Sequence, residues 1–296
     1  MTLGAALTLG AFLLFAPVVF VLLPLGLLLV TSRPTRLALW LWAVGCGLVT
    51  FTWLIAPGGL AAQSLKAWVV LAAGTFVLLA LPPGRRSFDA AISASLLATL
   101  GVASWLTAFR VPVARVTDDA LRTTWAVYRQ MGDAMPAWRA AANEAGDAAA
   151  SLASVFPAGV ALGGLAGLLI AWRWYHFLVD APLGVAPGRF RDFRFSDHLV
   201  WLLVLGMAGT VAQVAGILRP GDSWPANLLV LIGALYGARG LAVLWASIGG
   251  WPTPLLLVGG IAVLFLAPFA FTGLLGVGLA DTWLDFRRRA AAASGE

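Results

Sequence analysis

Side chains able to do chemistry are scarce in this sequence, and the one in the least comfortable place is Arg239. It lies within NLLVLIGALYGARGLAVLWASI, Asn227 to Ile248, a run about as long as the ~20 apolar residues that a bilayer-spanning helix needs. An ionised guanidinium at mid-helix costs roughly 2.5–3.5 kcal/mol on insertion scales, so it must meet a partner, line a polar cavity or reach the headgroups. Three roles follow: a ligand-site residue, half of a structural ion pair, or a snorkelling charge that caps carbonyls. Helical spacing puts Tyr236, Arg239, Gly240 and Val243 on one face, and Gly233, Gly237 and Gly240 let a neighbouring helix come close, so this face is predicted to be internal. Candidate partners are Gln213 in the preceding apolar run, Asp281 and Asp285 near the C-terminus, and backbone carbonyls. Asn227 and Tyr236 are the strongly polar residues on Arg239's own helix.

The other polar groups suggest quieter roles. Gln213 is expected to bond a neighbouring helix. Asp281 and Asp285, spaced i,i+4 beside Arg287 and Arg288, predict a local ion-pairing and capping cluster. There are only two histidines, His176 and His198, and one cysteine, Cys46. The sequence has no HExxH, no GxSxG, no Walker-type glycine loop and no carboxylate pair inside a span. With so few parts, no catalytic residue, metal ligand or cofactor is named, and the expectation is a protein that is not an enzyme.

Composition sets the frame for these residues. With 61% hydrophobic and 11% charged residues, the chain is predicted to be an all-α, polytopic transmembrane bundle. The net charge of +6 comes from basic residues in short loops between apolar runs, which encodes orientation and argues against a nucleic-acid partner. Its partners are expected to be the lipid bilayer and a membrane or cytoplasmic protein, in a bacterial plasma membrane. One cysteine builds neither a disulfide framework nor a thiolate metal site. The first apolar run lacks a basic n-region and is too long for a signal peptide core, so it is expected to belong to the mature protein.

About eight apolar segments are predicted. Residues 3–30 are interrupted by Pro17 and Pro24 and read as one bent span or two half-helices. Leu37–Ile55, a span opened by Lys66 and ending at Leu81, and Ala90–Phe109 complete an N-terminal half over residues 1–109. Residues 110–154 read as amphipathic extracytoplasmic helices: Thr117 as N-cap, Asp118 and Asp119 at the positive helix end, an apolar stripe through Leu121, Trp125, Tyr128, Met131 and Met135, and a break at Pro136. Residues 155–296 form the C-terminal half. In it, Phe156–Val179 carries Gly159, Gly163, Gly164 and Gly167 at helix-packing spacing, and its Trp172 to His176 end reads as an interfacial anchor. Basic loops at 31–36, 85–86 and 189–194 are placed in the cytoplasm. Counting eight spans then leaves Arg287 to Arg289 outside, against the same charge rule, unless the run around Pro268 is broken and doubles back.

The succession FRDFRFSDHLVWLLVL, NLLVLIGALYGARGLAVL and LADTWLDFRRR resembles the YybS-like family of bacterial membrane proteins, whose domain is of unknown function. Phe193, Arg194, Trp201, Asn227, Tyr236, Gly240, Asp281, Trp283, Asp285, Phe286 and Arg287 carry the resemblance, which covers roughly residues 189–289 by motif and the whole chain by layout. The family commonly has Gln where this chain has Arg239, which sets Arg239 apart from any shared functional group. The family's N-terminal half is similar to substrate-binding subunits of energy-coupling-factor transporters and to small integral proteins of the cell-shape machinery. The resemblance implies a small-solute binding or transport subunit, with a non-enzymatic scaffold for envelope or cell-shape proteins as the alternative. Proline-interrupted spans suit the first reading, and the lack of polar groups in the first four spans suits the second.

Overall fold

The computed structural model describes residues 16–84, 86–135, 140, 143–144, 146, 155–219, 222–247 and 267–286. Among these residues the regular structure is helical: α1 Val19–Thr31, α2 Leu37–Ile55, α3 Leu60–Ala80, α4 Ser87–Ala108, α5 Val113–Ala134, α6 Phe156–Leu178, α7 Val200–Val214, α8 Trp224–Ser247 and α9 Ala267–Leu284. Short 3-10 turns lie at Phe190–Asp192 and Asp197–Leu199. Six segments of 18–24 residues, namely α2, α3, α4, α6, α7 with the turn before it, and α8, are long and apolar enough to cross a membrane. At 1.5 Å per residue that is about 27–36 Å, the thickness of a bilayer core. The chain is therefore an all-α integral membrane protein. α1 and the Phe269–Leu284 part of α9 are apolar but shorter. Residues 3–15, Arg85, the 255–266 run and Arg287 to Arg289 lie outside the described residues.

Packing divides the chain into two units, residues 1–187 and 188–296. The first is built around α1, where Val21, Leu25, Leu28 and Leu29 are fully buried. Pro24 does not break this helix, which continues through it from Val19 to Thr31. A proline here removes the hydrogen bond that the carbonyl of Phe20 would otherwise accept. Gly167 of α6 packs against that carbonyl: a β-carbon on Gly167 would stand 2.7 Å from the Phe20 oxygen. The glycine thus brings backbone and a weak Cα–H donor to the orphaned acceptor. Gly164 receives the Trp68 ring and Gly163 receives Phe20 and Ala16, whereas a β-carbon on Gly159 would meet nothing within 4 Å.

Several local expectations are revised. α3 begins at Leu60, so Lys66 lies two turns inside it. Its ammonium folds back to the end of α2, donating to the carbonyls of Leu54 (3.0 Å) and Ala56 and sitting 5.8 Å from the Trp53 ring centroid. This satisfies carbonyls that a helix end leaves open and places the cation at the negative end of the dipole. α5 begins at Val113, so Thr117 is no N-cap; its hydroxyl donates to the Val113 carbonyl at 3.0 Å inside the helix. Asp119 caps a different helix, accepting the Ala61 amide at the start of α3 at 2.9 Å. Val116 and Ala120 sit with Ala61 and Leu106 in the same small core. Along α5, Asp118, Arg122, Arg129 and Asp133 are exposed, Leu121 and Trp125 are half-buried, and Met135 beyond its end is exposed. The side chains of Tyr128 and Met131 and the backbone of Pro136 lie outside the described residues.

Trp172 and Tyr175 are fully buried, so these two rings are not headgroup anchors, whereas Arg173 is exposed and Trp174 and His176 are half-buried. Trp172 packs edge-on against Phe76 at 5.8 Å and donates from Nε1 to the Val185 carbonyl at 3.1 Å. The Tyr175 hydroxyl accepts the Leu183 amide at 2.9 Å. Together they pin the loop after α6, in which Gly184 takes φ +81°.

In the second unit α8 is the central helix, packed on α7 and α9. Gly206 and Gly209 of α7 face Leu229 and Trp224 at the beginning of α8, as expected of consecutive antiparallel helices. α9 runs parallel to α8. Gly237 meets Phe271 and Gly240 meets Leu274, while Gly233 meets Leu275, Tyr236 meets Gly278 and Arg239 meets Asp281, so partner numbers rise together in both series. The C-terminal ends of α8 and α9 and the start of α7 therefore share one face of this unit. Arg194, in the basic loop before α7, pairs with Asp285 just after α9. The 189–194 loop and the end of α9 at Asp285 thus lie together on that face of the unit. α9 begins at Ala267 on the face opposite to the end of α8 at Ser247.

Candidate functional site

Arg239 is 3% exposed and sits where α8 and α9 lie closest. The approach depends on Gly240 and Gly278, where a β-carbon would run into the backbone of Leu274 and Tyr236. One turn beyond that contact Asp281, with a side chain 0% exposed, faces the guanidinium. Arg239 donates from Nε to Asp281 Oδ2 at 3.0 Å and from Nη2 to the Asp281 carbonyl at 3.3 Å. Asp281 Oδ1 accepts the Phe286 amide at 3.2 Å, so both carboxylate oxygens and the carbonyl are engaged. A buried ion pair offsets its desolvation cost only with this degree of hydrogen-bond satisfaction.

A second carboxylate meets the same cation. Asp197, in the turn before α7, accepts from Arg239 Nη1 at 2.9 Å, and its side chain is 61% exposed. Beneath the guanidinium is Phe195, with the ring centroid 5.4 Å from Cζ. Tyr236 stands edge-on to Phe195 at 5.1 Å and is fully buried. Its hydroxyl is paired loosely with the Thr282 hydroxyl, the two facing each other without well-formed hydrogen-bond geometry, and lies in the field of Arg239 and Asp197. The cluster thus combines a held cation, one buried and one exposed carboxylate, an aromatic floor and a loosely paired phenol. Among the described residues there is no group of three or more His, Cys, Asp or Glu that could hold a metal.

The candidates read from sequence separate here. Arg239, Tyr236 and Asp281 come together. Asp285 sits nearby but pairs with Arg194. Both acids have distant partners, 42 and 91 residues away, and Asp281 also caps the Phe286 amide locally; Arg287 and Arg288 lie outside the described residues. Gln213 and Asn227 are elsewhere: Gln213 donates to the Asp222 carbonyl in the turn after α7, and Asn227 donates from Nδ2 to the Ser223 carbonyl at 2.8 Å in the first turn of its own helix. Asp197 and Phe195 are the members that sequence reasoning missed. Their signal was FRFSDH, an acid and an aromatic at the mouth of an apolar span, read only as a basic loop.

The first unit holds a different cavity, of about 160 Å³, between α3, α4, α5 and the start of α6. Leu65, Val102, Leu106, Val116, Phe156 and Val160 give it apolar walls. Its polar groups are Thr117, the Trp68–Thr99 pair (Nε1 to Oγ1, 3.0 Å) and the Ser64 hydroxyl, which is buried without a partner. Among the described residues no charged side chain lines it. No family model matches this chain, and neither a curated protein nor a solved structure matches it.

Proposed function

We propose that this protein is a membrane-embedded binding or transport subunit for a small, uncharged, largely apolar solute, held in the pocket between α3, α4, α5 and α6. The observation that carries the reading is the pocket with the unpartnered Ser64 hydroxyl on its wall. A buried hydroxyl without a partner costs about 1–3 kcal/mol, so a ligand with one polar atom recovers more there than bare hydrocarbon does. A cavity near 150 Å³ is about the size that holds a benzene-like molecule. The apolar lining argues against an ionic vitamin and narrows the solute class drawn from the family resemblance. The YybS-like assignment and the bacterial plasma-membrane location are part of the same proposal.

Indole, an apolar ring with one N–H, is a suitable first probe. Wild-type protein in detergent is expected to gain thermal stability with added indole, with a smaller gain for Ser64→Ala and none for Ser64→Leu, whose side chain fills the space. Equal gains in all three would place the probe elsewhere and reject this pocket.

One observation favours the scaffold reading as a second possibility. The outer side of α5 presents an open groove lined by Asp118, Leu121, Arg122, Trp125 and Arg129, a mixed charged and aromatic surface of the kind that protein partners contact. Photo-crosslinking from position 122 in cells tests it: a discrete adduct supports a docked partner, and lipid adducts alone reject it.

A further inference from the structure

We propose that the outer edge of Arg239 is a binding site for a phosphate-type oxyanion, whose place Asp197 takes in this structure. The proposal rests on the second unit alone and is independent of the apolar pocket.

A guanidinium offers two forked edges. The inner one, Nε with Nη2, is spent on Asp281, through its carboxylate at 3.0 Å and its carbonyl at 3.3 Å. That pairing neutralises the buried cation and fixes its plane. The outer edge points the other way, toward Asp197, which meets it through Nη1 alone at 2.9 Å. The difference in exposure between the two acids, 0% against 61%, shows which edge faces outward. A fork that is oriented and half filled suits an acceptor with two oxygens.

A second, independent feature selects the shape of that acceptor. Tyr236 is 0% exposed, and its hydroxyl, which faces the Thr282 hydroxyl without well-formed hydrogen-bond geometry, lies in the field of both Arg239 and Asp197. A carboxylate has two oxygens, both used by the fork. A phosphate group has a further oxygen for the phenol, so a tetrahedral oxyanion satisfies the outer edge and Tyr236 together. Phe195 lies against one face of the planar guanidinium, its ring centroid 5.4 Å from Cζ. The loop leading to Asp197 also carries the exposed Arg189, while its Arg191 pairs with Asp192 at 3.9 Å. The phosphate group belongs either to an anionic lipid headgroup or to a free phosphate or phosphate ester.

The test uses the full chain in maltoside micelles, which carry no phosphate, with inorganic phosphate and phosphatidic acid as probes. Binding is read by calorimetry and by native mass spectrometry. Asp197→Asn removes the competing charge and is expected to tighten probe binding by roughly tenfold or more. Adding Tyr236→Phe to that variant is expected to reverse much of the gain. Titration by inorganic phosphate identifies a free solute, whereas retention of phosphatidic acid alone identifies a headgroup. The proposal is overturned if Asp197→Asn binds both probes no better than wild type, or if Tyr236→Phe leaves the gain intact. An Asp197→Asn variant that fails to fold would show the carboxylate to be structural and overturn it as well.

Discussion

The carbonyl of Tyr236 lies directly against the α-carbon of Gly278, and on the other side of the same contact the carbonyl of Leu274 lies against Gly240. Two helices that touch backbone to backbone exchange Cα–H···O contacts, each worth about 0.5–1 kcal/mol. The same closeness brings Asp281 within reach of Arg239, since a wider separation would leave both charges buried and apart.

Gly278→Ala should therefore lower stability in detergent unfolding by about 1–3 kcal/mol, the range for overpacking a tight contact. Gly273→Ala and Gly276→Ala are the controls, because a β-carbon at either would meet nothing within 4 Å. Both should be stabilised, by roughly 0.5–1 kcal/mol, as alanine replaces glycine in a helix. A Gly278→Ala protein as stable as its two controls would disprove the backbone contact.

Removing one partner of the buried pair should be costly. Arg239→Leu strands the Asp281 carboxylate and is expected to cost about 3–5 kcal/mol, while a joint Arg239→Leu and Asp281→Leu replacement should recover most of it. Asp197→Asn, at a partner that is 61% exposed, should cost under about 1 kcal/mol. Arg239→Gln keeps a hydrogen-bond donor without the charge and should fall between wild type and Leu. Urea titrations of the four variants decide this, and a harmless Arg239→Leu would make Arg239 a tolerated charge.

Asp119→Ala should cost about 1 kcal/mol, the usual value of a helix cap. The loss should be local to α3, with faster amide exchange at Ala61 but not in α5 itself. Thr117→Ala should stay within about 0.5 kcal/mol, because that hydroxyl only repeats a bond to its own helix. Hydrogen exchange read by mass spectrometry separates the two, and faster exchange in α5 alone would return Asp119 to its own helix.

Orientation gives the fourth expectation. With Cys46 replaced by Ser, single cysteines at Arg189 and at Ala290, beyond α9, should react alike with an impermeant maleimide on intact cells. A cysteine at Arg219, in the turn between α7 and α8, should react in the opposite sense. Opposite labelling of the first two sites would contradict the parallel run of α8 and α9.

The apolar runs were legible because a bilayer demands length and composition, and both are written in consecutive residues. Arg239 was legible for the same reason, as a charge where composition forbids one. Its exposed partner was not: Asp197 lies in a polar loop, where an acid raises no question, and only the return of α7 beside α8 makes it a neighbour of Arg239. Asp119 misled because local spacing offers a plausible cap within its own helix, while the amide it serves is 58 residues earlier in the chain. Trp172 and Tyr175 misled because aromatic composition at the end of a span is the same whether the rings face headgroups or the bundle interior.

The bond from Asp119 to Ala61 also sets an order of events during synthesis. Ala61 reaches the insertion machinery with α3, but its acceptor is made only after α4 and the first turns of α5 have been translated. Until then the leading turn of α3 has its amide donors open. A ribosome stalled before residue 119 should hold a nascent chain whose third helix frays at that end and slides more freely in the lipid. The same chain released a few residues later acquires a fastener between the first-made crossings and the polar helix that follows them.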